Sequence, residues 1–207
     1  MQTKNVAIHY HGGCGGHFIN YFLLASGKYS TRYHFGDIKI DIKPGSLKKI
    51  RQQFYIQFNK ENEWLSSEMW PDNTDCDDAS RLLLYQEAIP DIPIKKSSFT
   101  IKVCPYMANF NDWFRTVLYK RTNLFRYQSP TLSLVKKLYK KKLNRKNSFT
   151  TKIPGCNYYF EITQFVNDLE TRKALCEFLS IPHTDLMEEF VSHYNECHKP
   201  LKNKTSW

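Results

Sequence analysis

The sequence predicts an α/β protein, a central and mostly parallel sheet flanked by helices, built as one domain over residues 1–207. Three observations carry that reading. A short β-like run, Asn5-Val-Ala-Ile-His-Tyr10, passes through a glycine-rich turn straight into an apolar helical pattern. Further β-rich runs at Phe99–Val103, Thr116–Lys120 and Asn157–Ile162 are separated or followed by helical patterns. Strands alternating with helices are what crossover-connected parallel sheets look like in sequence. The length, 207 residues, is also enough for one core that needs no disulfide or metal staple.

The elements follow in order. Phe18–Ala25 is apolar around most of its circumference, which predicts a buried helix, with Gly27 as its stop. Asp37–Ile42 alternates with period two, as an exposed or edge strand does. Pro44-Gly45-Ser46 reads as a turn and N-cap ahead of a helix near Leu47–Phe54. The acidic stretch Pro71–Asp78 reads as a loop, and Ala79–Ala88 as a short helix. Leu124–Leu143 reads as a helix kinked or restarted near Pro130, with Leu132, Val135, Leu138, Tyr139 and Leu143 on one stripe and the lysines outward. Asn167 with Glu170 resembles a capping arrangement for a helix running to Leu179. Pro182 breaks that helix, and Thr184 can cap a last one through Tyr194.

Composition narrows the function classes. Hydrophobic residues make up 41% and aromatics 15%, which excludes wholesale disorder. The longest aliphatic runs are too short to cross a bilayer, and Met1–Tyr10 lacks the basic start and apolar block of a secretory signal. A cytoplasmic protein with no membrane span is the expectation. Thirty Lys and Arg against twenty Asp and Glu leave a net charge of +10, which favours anionic partners. The excess is local: residues 130–152 hold eight basic side chains, from Lys136 to Lys152, and no acid. The six cysteines are dispersed without a CxxC pair, and His183, His193, Cys197 and His198 follow no zinc spacing. No metal is expected, and the thiols are read as reduced.

Chemistry concentrates in His11-Gly-Gly-Cys-Gly-Gly-His17. Glycines between a strand and a helix let backbone N–H groups close around an anion, and the helix N-terminus adds partial positive charge. Gly12, Gly13, Cys14, Gly15, Gly16, His17 and Phe18 are therefore the candidate anion-binding residues. The Lys and Ser/Thr that end a nucleotide-hydrolase P-loop are absent, since Gly16 is followed by His17 and Phe18. The plainer alternative is a turn that needs glycine for backbone geometry alone. The second anchor is Val117–Ser129. There a strand ends in Arg121 and Ser129 follows eight positions later (129 − 121 = 8).

Together these segments resemble the sulfotransferase superfamily, whose donor is 3′-phosphoadenosine 5′-phosphosulfate (PAPS). The resemblance rests on the N-terminal strand–loop–helix, on Arg121 with Ser129, and on Tyr158–Ile162 followed by Leu175–Pro182. It implies a P-loop/sulfotransferase-like fold and in-line sulfuryl transfer to a hydroxyl or amine. It assigns the 5′-phosphosulfate to the glycine loop and the 3′-phosphate to Arg121 and Ser129. It also implies an acceptor that is a small molecule or carbohydrate, and among these the basic surface mildly favours an anionic one. Residues 37–95 match the family poorly and are where acceptor binding would reside.

Two departures stand out. The loop lacks the family's basic residue, for which His17, Lys28 or Lys102 could substitute. The string Lys102-Val-Cys104-Pro105 carries Cys where cytosolic members have a catalytic His. Transfer calls for a general base, and His34, Asp37 and His17 are the candidates, with Glu87 as a further carboxylate. Phe160 reads by default as a buried strand aromatic, with packing near the adenine as the alternative. A nucleotide-binding protein of the same fold without catalysis, and a basic nucleic-acid-binding protein, are the alternatives.

Overall fold

The computed structural model describes residues 5–35, 38–45, 69–71, 80–86, 100–114, 132–143 and 152–202. At its centre is a four-stranded, all-parallel sheet of β1 (Asn5–Tyr10), β5 (Leu82–Gln86), β6 (Thr100–Tyr106) and β7 (Tyr158–Glu161), in the order β5-β1-β6-β7. Strand β1 sits inside because Val6, Ala7 and Ile8 are all fully buried, the continuous apolar run expected where both faces are covered. Its register pairs Val6 with Leu82 on one side and with Ile101 on the other. On β6, Val103 lies opposite Tyr158 and Cys104 opposite Tyr159.

Alternation sorts the side chains onto two faces. Val6, Ile8, Tyr10, Leu82, Leu84, Ile101, Val103 and Phe160 join the main core, while Ala7, Leu83 and Tyr85 form a second cluster. Helix α1 (Gly16–Leu24) lies in the main core with every residue but His17 buried. Helices α3 (Ile162–Asn167), α4 (Leu169–Leu179) and α5 (Asp185–Lys202) complete that layer. Aromatic contacts lock it: Phe18 packs on Tyr194 with ring centroids 4.2 Å apart, Phe22 on Phe165 at 4.9 Å, and Tyr158 on Phe178 at 4.6 Å. Phe160 belongs here too, against Phe165 at 5.0 Å, so it is a core residue and not the exposed partner of an adenine.

The helix caps differ from the sequence reading by one residue. Asp168, not Asn167, caps α4, accepting from the backbone N–H groups of Glu170 and Thr171. Asn167 is spoken for, since its side chain donates back to the Thr163 carbonyl at 2.7 Å. The Thr171 hydroxyl and backbone bonds hold the Asp168 carboxyl below its usual range. Thr184 does cap the last helix, accepting from Met187 N at 3.4 Å, and that helix runs past Tyr194 to Lys202.

A second sheet, antiparallel in the order β3-β2-β4, comprises β2 (Thr31–Phe35), β3 (Ile38–Ile42) and β4 (Met69–Pro71). The alternating segment becomes the edge strand β3, as its pattern predicts. Strand β2 leaves the parallel sheet at its start: Ser30 bridges Arg81, and Leu82 N donates to Ser30 O at 2.9 Å.

One expectation is corrected outright. The segment read as a helix over Ala79–Ala88 is strand β5, because Leu82–Tyr85 is a run buried on both faces against β1. A short, uniformly apolar run carries no period to separate strand from helix. The readings at Leu47–Phe54, Asp72–Asp78 and Thr116–Thr131 lie outside the described residues; the rest of the last helical pattern is α2 (Leu132–Leu143). Among the described residues no helix is long and apolar enough to cross a membrane, and no cluster of three metal-ligating side chains occurs.

Candidate anion-binding site

Strand β1 delivers the chain to the carboxyl edge of the parallel sheet, the edge at which open α/β sheets take ligands. There His11 O accepts from Cys14 N at 2.9 Å and closes a tight turn. Gly15, the N-cap of α1, has φ +74°, a left-handed conformation that a side chain would strain. Gly16 begins the helix directly on the face of Tyr10: a Cβ there would lie 2.3 Å from two carbons of the buried ring. Gly13 is left-handed as well, at φ +98°, so three of the loop glycines have a packing or conformational reason.

What this turn presents is the N-terminus of α1. The N–H groups of Gly16, His17 and Phe18 are those that a helix cannot satisfy from within, and the helix dipole places partial positive charge at them. The first turn of α1 carries no acidic residue to compete for them. The side chains of Cys14 and Phe18 do not reach this surface. Cys14 is fully buried, and Phe18 is packed between Phe165 and Tyr194. Either residue could touch a ligand only through its backbone, the contact the glycine-loop reading expects of them. His17 is half-buried and meets Tyr10 edge-on at 6.1 Å. Burial pushes the Tyr10 phenol well above its ordinary pKa, so it stays protonated near neutrality and is no general base.

The surroundings come from distant parts of the chain. Ile162, at the start of α3, would lie 3.1 Å from a Cβ on Gly15. Trp113, in the helical turn at 110–114 after β6, donates its indole N–H to the Gly12 carbonyl at 2.7 Å. That turn is covered by α2, whose Tyr139 packs edge-on against Phe110 and Phe114 at 5.4 and 5.1 Å and donates to Asn111 Oδ1 at 2.8 Å. One helical turn on, Lys142 Nζ lies 5.9 Å from the Trp113 ring centroid. The lysine-rich helix is therefore docked beside the glycine loop, with Lys136, Lys137, Lys140 and Lys141 exposed along it.

Lys142, a residue that the sequence singled out only as part of a basic run, stands over the Trp113 ring that bonds the loop. Lys28 lies beyond the far end of α1, and Lys102 lies along β6 beside Cys156, so neither is drawn to the loop. His34 sits on β2, opposite Lys39 and Trp70, in the separate antiparallel sheet. That strand starts beside β5, to which Ser30 is bridged in parallel at Arg81. Of the candidate bases, His17 alone is placed at the loop; Asp37, Glu87, Arg121 and Ser129 lie outside the described residues.

Trp113→Phe keeps an aromatic ring but removes the indole N–H and part of the buried volume, leaving the Gly12 carbonyl without its donor and a gap in the core. A loss of about 2–4 kcal/mol is expected in urea unfolding. The sequence matches no family model and no curated protein, so function is read from the site itself.

Proposed function

We propose that the chain is a PAPS-dependent sulfotransferase, moving a sulfuryl group to a hydroxyl or amine acceptor. The observation that supports this best is the glycine turn opening onto the N-terminus of α1 at the carboxyl edge of an all-parallel sheet, with Lys142 over the Trp113 ring that bonds it. The donor set, backbone N–H groups with a cation nearby and no carboxylate in the first helical turn, fits a phosphate or phosphosulfate group. The bound donor supplies the sulfuryl group and, in adenosine 3′,5′-bisphosphate, a stable anionic leaving group.

The work left to the protein is positioning and charge. The first-turn N–H groups of α1 hold anionic oxygen in a fixed place, and they need no reorganisation because Gly16 is seated on Tyr10. Lys142 offsets the negative charge from the Trp113 side. In this reading His17 accepts the acceptor's proton, being the histidine beside the loop. Arg121 and Ser129 take the 3′-phosphate, as the resemblance implies.

Thermal-shift titration with adenosine 3′,5′-bisphosphate tests the reading, with AMP and ADP as controls. Ligand at a hundred times its dissociation constant adds about 2.7 kcal/mol, a rise of roughly 5–10 °C for a chain of this size. Arg121→Ala is expected to abolish the preference for the 3′-phosphate, and Lys142→Ala to weaken binding about fivefold, the worth of one exposed charge near 1 kcal/mol. No rise with any nucleotide into the millimolar range would sink the proposal. The exposed lysines of α2 favour a polyanion as the second reading. Oligonucleotide binding that falls steeply with salt would select it.

A further inference from the structure

The face of the parallel sheet turned away from α1 carries a second cluster of reactive groups, unrelated to the glycine loop. Ile101 and Val103 of β6 point into the main core, so Lys102 and Cys104 between and after them point the other way. Cys104 is strand-paired with Tyr159 of β7, and the Tyr159 hydroxyl accepts from the backbone N–H of Cys156 at 3.1 Å. Asn157 clamps the same turn to β6: its N–H donates to Lys102 O at 2.8 Å, and Lys102 N donates to its Oδ1 at 2.8 Å. These bonds bring Cys156 beside Cys104, so that each thiol acts on the other.

The surroundings are those of an activated sulfur. The Ile153 N–H donates to the Cys104 sulfur, and the Lys152 ammonium is held over the rings of Tyr106 and Tyr159 at 4.9 and 5.4 Å. The Cys156 thiol, with that N–H and the Lys152 charge, outweighs burial and holds the Cys104 thiol below its ordinary range. Cys104 and burial push the Cys156 thiol up. Cys104 is thus the more acidic of the two thiols, and its Sγ also faces the Pro105 carbonyl oxygen at 3.9 Å. Cys104 is fully buried, while Cys156 is half-buried and lies toward solvent.

We propose that Cys104 and Cys156 are an oxidation site that closes to a reversible disulfide on exposure to a hydroperoxide. The peroxide, small enough to enter past Cys156, is attacked by the Cys104 thiolate. Its O–O bond breaks, Cys104 becomes a sulfenic acid, and the departing hydroxide takes the Cys156 proton as water. The Cys156 thiolate then attacks the Cys104 sulfur, and the second hydroxide leaves and is protonated by solvent. Two sulfurs have lost two electrons in total and hydrogen peroxide has become two waters.

The test uses the full chain and hydrogen peroxide. Reactive thiols are counted after denaturation in a maleimide, and the alkylated protein is digested for mass analysis. The wild type is expected to fall from six reactive thiols to four (6 − 2), with one linked peptide pair joining positions 104 and 156 and full recovery in dithiothreitol. In Cys156→Ser the sulfenic acid has no partner, and a dimedone adduct is expected on Cys104 at least about tenfold faster than on buried Cys14 or Cys176. Retention of all six thiols by the wild type at peroxide levels that label Cys104 in Cys156→Ser would overturn the proposal. So would a linked pair elsewhere in the chain. Cys104→Ala is the second variant, expected to keep Cys156 reduced under the same treatment.

Discussion

Gly16→Ala is expected to destabilise the protein by about 2–3 kcal/mol, against the usual gain from replacing glycine in a helix. The sign follows from one distance: the new Cβ would lie 2.3 Å from Cγ and Cδ1 of Tyr10, well inside contact distance. Tyr10 is only 3% exposed and its ring belongs to the main core, so it cannot swing aside without displacing its neighbours. Helix propensity contributes at most about 1 kcal/mol the other way, and the clash prevails. A fall in Tm of roughly 5–10 °C follows for a chain of this size. Gly27→Ala separates the two causes, because Gly27 has a left-handed backbone (φ +71°) that Gly16 lacks, and a Cβ there meets nothing within 4 Å. Its cost of about 1–2 kcal/mol is backbone strain alone. Pairing Gly16→Ala with Tyr10→Ala is expected to cost less than the sum of the single changes. Strict additivity in urea unfolding would show that the ring is not what Gly16 avoids.

The second large effect is expected at Arg172, on α4. Its Nη1 donates to the carbonyls of Phe165 at 2.8 Å and Val166 at 3.1 Å, in the last turn of α3. Its Nε and Nη2 grip Glu188 of α5 at 2.7 and 2.6 Å, so one side chain ties three helices together. Arg172→Met would leave two carbonyls and a half-buried carboxylate short of their donor. A loss of about 3 kcal/mol is expected, at the lower end for a broken buried pair because Glu188 still reaches water. Lysine lacks the planar fork and is expected to restore only part of it.

The loss should shrink in acid. Burial pushes the Glu188 carboxyl up, but its bonds to Arg172 and His183 prevail and hold it below the ordinary range. A group whose folded pKa is depressed adds stability above its unfolded pKa, near 4.3, and loses it as pH falls through the folded value. The wild type and Arg172→Met should therefore converge below that point. A difference in stability that stays constant from pH 7 to pH 3 would show that the carboxylate plays no part.

How much of this could be read beforehand depended on whether a residue's reason lay nearby in sequence. Strands β1, β6 and β7 and helices α1, α4 and α5 were legible, because each carries a local apolar pattern that its burial bears out, whereas on α2 Leu138 and Tyr139 pack against the core but Leu143 of the same stripe is exposed. Leu82–Gln86 was misread because five apolar-rich residues cannot declare a period. Strand β2 was missed because its partners are three-to-five-residue strands whose pairing is not written in its own pattern. The site divides in the same way. The glycine turn announced itself, but Tyr10 beneath Gly16, Trp113 on Gly12 and Lys142 beyond it are facts of tertiary contact. His34 drew notice by its position after the first helix, but that it lies on a strand of the antiparallel sheet was not written in its neighbourhood. Cys104 stood out for the histidine it replaces, while its place beside Cys156 depended on two parallel strands lying side by side.

The bond from Trp113 to Gly12 spans 101 positions of the chain. A loop held by so remote a residue cannot reach its final shape when the first strand and helix have merely been synthesised, since closing a long segment must come first. The amino-terminal third therefore emerges with its glycines still unordered, and they settle only after β6 and the turn behind it have docked. A peptide cut after Gly27 should accordingly bind no phosphate, however faithfully it carries the motif. Refolding followed by tryptophan fluorescence should show the environment of Trp113 maturing in the same phase in which anion binding appears.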